Sequence, residues 1–120
     1  MDRKDKLMNL VINQTTIVTS EQGYETWQND HDARPQPIFK RYYIKKIIED
    51  VSFVPSVGEA IVEPMWDKVP HKVSIKYFDY DNNECIVTVT PFYIPVDSEW
   101  EKDFERIAQL HGWLIVSMTN

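Results

Sequence analysis

HKVSIKYFDYDNNECIVTVTPFYI, residues His71 to Ile94, is the stretch on which the fold turns. Two alternating runs flank a polar centre, the pattern of an antiparallel hairpin. A two-residue loop at Asn82 and Asn83 would set Ile75 against Thr90 and Tyr77 against Thr88, mixing polar and apolar side chains on both faces. A three-residue loop, Asp81 to Asn83 with Asn83 in the left-handed region, pairs Ile75 with Val89, Tyr77 with Val87 and Asp79 with Cys85. One face then becomes almost wholly apolar. The opposite face carries Lys72, Ser74, Lys76, Phe78, Tyr80, Ile86, Thr88 and Thr90.

On the N-terminal side of this hairpin, residues 10 to 20 (LVINQTTIVTS) are rich in Val, Ile and Thr and read as a strand or short strand pair. Residues 1–9 read as a flexible N-terminus. Residues 21–37, polar and closed by two prolines, read as a long loop or arm anchored by Tyr24 and Trp27. Residues 38–51 (IFKRYYIKKIIEDV) fit one face of a helix, but the density of Ile, Tyr and Phe and the lack of a helix stop favour a strand. In FVPSVGEAIV, residues 53–62, Pro55 cannot donate to a ladder and Gly58 tolerates positive φ, so the stretch is a bend between strands. A phosphate loop would need more glycines and a following helix.

Beyond the hairpin, DSEWEKDFERIAQLHG, residues 97–112, reads as a helix. Ser98 and Glu101 form a capping box and Gly112 supplies the stop, while Trp100, Phe104, Ile107, Ala108 and His111 fall on the face that docks on the sheet. WLIVSMT reads as a closing strand. The expectation is one α+β domain over residues 1–120: a mainly antiparallel sheet or open small β-barrel with one C-terminal helix packed on it and a final strand.

A chain of 120 residues with 42% hydrophobic and 12% aromatic residues can build a core without staples. The single cysteine, Cys85, forms no disulfide within the chain, and no apolar run reaches the length of a membrane span, so a cytoplasmic location and no membrane attachment are expected. The net charge of -6 is uneven: -3 over residues 1–33, +3 over 34–76 and -6 over 77–120. A fold with one basic and one acidic side favours a charged partner or self-association.

No catalytic constellation emerges. His31, His71 and His111 are far apart and share no metal-ligand spacing. Asp79 to Glu84 begins like a calcium loop, but Glu84 stands where glycine is required and Thr90 where glutamate is required. Cys85 lies on the apolar hairpin face and lacks a base, and no nucleophile elbow or dinucleotide fingerprint is present. Neither metal nor cofactor is expected.

Two surface features carry the functional expectation. The acidic row Asp97, Glu101 and Glu105, with Tyr24 and Trp27 as aromatic anchors, suits contact with another protein. Lys72 and Lys76 interleaved with Phe78 and Tyr80 suit stacking on single-stranded nucleic acid, which the acidic net charge disfavours. The chain, short, aromatic and without catalytic groups, resembles in texture the small accessory proteins of bacteria and bacteriophages. The leading expectation is a non-enzymatic interaction module of inhibitor or adaptor type, and the alternative is a single-stranded nucleic-acid-binding β-domain.

Overall fold

Strand β1, Met8–Thr19, is the axis of the sheet in a computed structural model that describes residues 7–66 and 69–120. It is dense in Val, Ile and Thr, whose branched side chains suit a pleated surface with neighbours on both edges. Along one edge it pairs antiparallel with β2, Ile38–Val51, so the ambiguous segment is a strand. Along the other edge it pairs parallel first with β5, Glu84–Val89, and then with β6, Phe92–Pro95. Strand β4, His71–Asp79, lies antiparallel on β5, the two-residue β3, Ala60–Ile61, lies on β4, and β7, Leu114–Thr119, closes the far edge on β2. The order is β3-β4-β5-β1-β2-β7, curled into a half-barrel, and the domain is of α+β class as expected. No helix among the described residues is long and apolar enough to cross a membrane.

The hairpin differs from its expected register by one residue. Its loop is Tyr80 to Asn83, so Asp79 faces Glu84, Phe78 faces Cys85 and Tyr77 faces Ile86. The cause lies in Asp79, whose carboxylate accepts from the backbone N–H of Asn82 at 3.3 Å and from its side-chain amide at 2.8 Å. That carboxylate would have stood opposite buried Cys85 in the shorter loop, at a desolvation cost. Asn83 does take the left-handed conformation, at φ 54°. A register shift between Val73 and Ile75 then returns Val73 to the buried face opposite Val89. The bend is also present: Gly58 sits at φ +90° and its N–H donates to the Val73 carbonyl at 2.8 Å.

Residues 21–37 are not all loop. Helix α1, Glu21–Asn29, is capped by Ser20, whose hydroxyl accepts from the Gly23 N–H at 2.9 Å. Glycine is required at 23 by close approach, since a Cβ there would lie 2.4 Å from Thr19 Oγ1. Met8 and Asn9 belong to β1, while residues 1–6 of the expected flexible terminus lie outside the described residues. The C-terminal helix starts at Ser98 as expected, but it is two segments, α2, Glu99–Lys102, and α3, Phe104–Leu110, broken at Asp103. Phe104 and Ala108 are buried, and Trp100 meets Phe92 edge-on at 5.5 Å.

The core fills the inner face of the sheet: Leu10, Ile12 and Val18 of β1, Ile44 of β2, Val87 and Val89 of β5, with Trp27, Trp66, Trp113 and Phe104 laid over them. Inside it runs a polar relay. Trp66 Nε1 donates to Gln14 Oε1 at 2.7 Å, and Gln14 Nε2 donates to the Thr90 carbonyl at 2.9 Å. His71 Nδ1 lies 2.9 Å from the same carbonyl, which can only accept, so Nδ1 carries the proton. Burial pulls the His71 imidazole down from 6.5 to about 4, and the Thr90 carbonyl partly opposes this.

Two outcomes are expected. Trp27→Ala should cost about 3 to 5 kcal/mol in a denaturant or thermal melt, the range for removing a fully buried aromatic, and a loss under about 1 kcal/mol would contradict its core position. His71 is protonated more readily in the unfolded chain, so its contribution is fully present above pH 6.5 and falls by about 3 kcal/mol as pH drops towards 4. The His71 Cε1 proton resonance should therefore stay fixed from about pH 8 to pH 5, and a midpoint near the ordinary histidine value would contradict burial of the neutral ring.

Candidate functional site

Alternation along β1 sends Leu10, Ile12, Gln14, Thr16 and Val18 inward and leaves Val11, Asn13, Thr15 and Ile17 on the other face. The helices and the Pro64–Trp66 turn pack on the inner face and along β6, through Trp27, Trp66, Trp100 and Phe104. No helix among the described residues covers the outer face. Its side chains fall into rows across the sheet. Tyr77 faces Ile86, Ile86 faces Val11, and Val11 faces Ile47, an apolar row across four strands. Beside it Ile75, Thr88, Asn13, Lys45 and Leu114 make a second row, from β4 to β7.

These side chains meet solvent. Ile75 is 55% exposed, Tyr77 53%, Ile47 41% and Leu114 53%, whereas Val11 and Ile86 lie sunk between them. Further along the same face of β2 stand Lys45, Tyr43, Arg41 and the exposed Phe39. Where β1 passes from β5 to β6 the face dips into a groove of about 390 Å3, walled by Thr15, Arg34, Arg41, Tyr43, Ser74 and Thr88. Arg34 donates to the carbonyls of His31 and Ala33, and neither Arg34 nor Arg41 has a carboxylate partner among the described residues. Burial raises the Tyr93 hydroxyl pKa against the pull of both arginines, so the phenol stays neutral. The groove is thus cationic and lies at one end of the apolar rows.

The residues expected to meet a partner are divided by the fold. Trp27 is a core residue, 1% exposed, because α1 turns it onto Phe92 and Tyr93; it is not a surface anchor. Tyr24 is half-buried beside it, with ring centroids 6.1 Å apart. Glu101 is engaged within the chain: its carboxylate accepts from the Asp97 N–H at 2.6 Å and pairs with Lys40 at 3.4 Å. Asp97 and Glu105 are exposed, but the break at Asp103 and the pairing of Glu101 leave no continuous acidic row.

On the hairpin, Phe78 and Tyr80 are exposed and stacked at 5.8 Å, with Lys76 Nζ 5.4 Å from the Phe78 ring. Lys72 is exposed on the opposite face, because the shift after Val73 reverses the alternation. Cys85 is fully buried, and burial pushes its thiol pKa up. No group of three or more metal-ligating side chains occurs among the described residues. The outer-face rows escaped the sequence reading because the expected hairpin register turned Ile75 and Tyr77 inward. Comparison with protein-family models, with curated proteins and with solved structures finds no match.

Proposed function

We propose that the protein is a non-enzymatic interaction module of inhibitor or adaptor type, and that the open outer face of its sheet is the surface that meets a partner protein. The observation that carries this reading is the in-register row Tyr77, Ile86, Val11 and Ile47 on a face that no described helix covers. Apolar rows on sheets are ordinarily covered, whereas here Tyr77 and Ile47 stand exposed on either side of the sunken Ile86 and Val11, an open apolar surface of the kind that marks a binding site. The partner is characterised by its chemistry. It lays apolar side chains on the row and acidic ones towards Arg34, Arg41 and Lys45, while the acids on the helical side, Asp97, Glu99 and Glu105, keep that partner from the opposite surface.

The second reading, single-stranded nucleic-acid binding, has the exposed Phe78–Tyr80 stack under Lys76 in its favour. Against it, Lys72 is on the other face and Asp79, Asp81 and Glu84 surround the hairpin tip.

Wild type and the double variant Ile47→Glu, Ile75→Glu, cross-linked in extract of the cells that make the protein, provide the test. The variant should melt within about 0.5 kcal/mol of wild type, as surface changes do, yet lose the partner by a factor of about 30 or more, the scale of hot-spot residues. Arg34→Glu with Arg41→Glu should slow association and flatten its salt dependence. If the Ile47, Ile75 variant retains the partner, the contact surface is not this face. If Phe78→Ala with Lys76→Ala instead abolishes retention on single-stranded oligonucleotide, the second reading replaces the first.

A further inference from the structure

The outer-face groove lies where β1 has left β5 at Thr88 and has not yet met β6 at Phe92. Its volume of about 390 Å3 falls at the lower end of the range for small-molecule sites. Register sets its polar side chains in adjacent rows: Thr15 faces Tyr43 across β1 and β2, and Ile17 faces Arg41. Thr88 stands on the other side of β1, as the last β5 residue paired with it. Arg34 enters from the loop after α1, where its Nη1 donates to the carbonyls of His31 at 3.2 Å and Ala33 at 2.8 Å. Those bonds anchor the guanidinium by one nitrogen and leave Nε and Nη2 without a hydrogen bond to any described residue. Arg41 and the hydroxyls of Thr15, Tyr43 and Thr88 also have no hydrogen-bond partner among the described residues.

The two guanidiniums act at one place. Tyr93 is the β6 partner of Ile17, and both arginines oppose the burial that raises its hydroxyl pKa, so both charges bear on the same buried phenol. Like charges held together repel, and an anion between them removes that cost. A guanidinium presents a planar fork of N–H donors that fits the oxygens of a phosphate or a carboxylate. Counting decides between the two. A phosphate monoester brings close to two negative charges and three terminal oxygens, which match two guanidiniums with three hydroxyl donors beside them. A carboxylate brings one charge and two oxygens, and leaves donors idle. The remaining lining, Ile17, Val89 and Pro91, suits a neutral, apolar substituent on the ester.

We infer that this groove binds a phosphate monoester dianion, held by Arg34 and Arg41, with Thr15, Tyr43 and Thr88 donating to its remaining oxygens. Binding involves no covalent step. The ester specifies the acidic group that the proposed partner turns to the same groove, and in that respect rests on that reading; binding to the isolated protein is measured without the partner, so either can fail alone. Phenyl phosphate, phenyl sulfate and benzyl alcohol are titrated into the isotope-labelled protein at about pH 7.5, where the ester is mainly dianionic, and followed by nitrogen-proton correlation spectra. Phenyl phosphate should saturate with a Kd of about 1 mM or below, in the range open to so small a ligand, shifting the backbone resonances of Thr15, Tyr43 and Thr88. Phenyl sulfate, of the same shape with one charge, should bind about fivefold or more weakly, and benzyl alcohol should not saturate. Arg34→Gln and Arg41→Gln should each weaken phenyl phosphate about tenfold, and Arg41→Lys, which keeps the charge and loses the fork, about threefold or more. Lys102→Gln on the helical side, which makes the same change in net charge, should alter it less than about twofold. A capped phosphoserine tripeptide separates the sources of the ester: binding within about tenfold of phenyl phosphate assigns it to a modified side chain of the partner, and weaker binding to a free small molecule. Failure of phenyl phosphate to saturate, equal binding of phenyl sulfate, or wild-type affinity in the Arg34→Gln and Arg41→Gln variants would each overturn the inference.

Discussion

Gln14 stands where β1 changes partners. The last β1–β5 pair is Asn13 with Thr88 and the first β1–β6 pair is Thr16 with Phe92, so one strand must jog past the other across Val89, Thr90 and Pro91. Pro91 has no N–H to give a ladder, and the Thr90 carbonyl is turned to the inner side, where the Gln14 amide and the His71 imidazole both donate to it. The other end of the Gln14 amide accepts from Trp66. A single side chain therefore substitutes for the ladder that the jog interrupts, at roughly 1 kcal/mol per hydrogen bond net and more if a partner were left bare. Both notable regions follow from this jog: the basic groove on the outer side and the aromatic cluster on the inner.

Much of the architecture is legible in the chain. Ser98 begins the C-terminal helix, Gly112 ends it at φ +82°, and Pro55 with Gly58 turns the chain between β2 and β3. Local chemistry decides these positions, and a local reading finds them. Helix α1 is harder to see because its polar sequence holds only Tyr24 and Trp27 as large side chains, three residues apart; their shared face, with Ser20 as cap, was the available signal.

The site was less legible for a different reason. Side chains alternate with period two, so the one extra loop residue that Asp79 stabilises through Asn82 reverses every expected side of the hairpin up to the shift at Ser74. Ile75 and Tyr77 pass from core to surface by that reversal, and Phe78 moves to the face of Cys85. The parallel pairing of β1 with β5, which brings Ile86 and Val11 into one row with Tyr77 and Ile47, joins segments about 75 residues apart, and no local pattern encodes it. Trp27 and Glu101 read as surface residues for the converse reason: their burial partners, Phe92 and Lys40, lie in other elements.

The two sides of the sheet thus differ, with packing, capping and the polar relay on one and, on the other, an apolar row that no described helix covers beside arginines that have no carboxylate partner among the described residues. Hydroxyl-radical footprinting of the isotope-labelled protein, in buffer and in extract of the cells that make it, addresses that division directly. Tyr77 and Phe39 on the outer face should lose reactivity in extract, while the exposed Tyr80 and Phe53 keep theirs. Protection of Tyr80 and Phe53 with Tyr77 and Phe39 unchanged would contradict the assignment of the open sheet face as the contact surface.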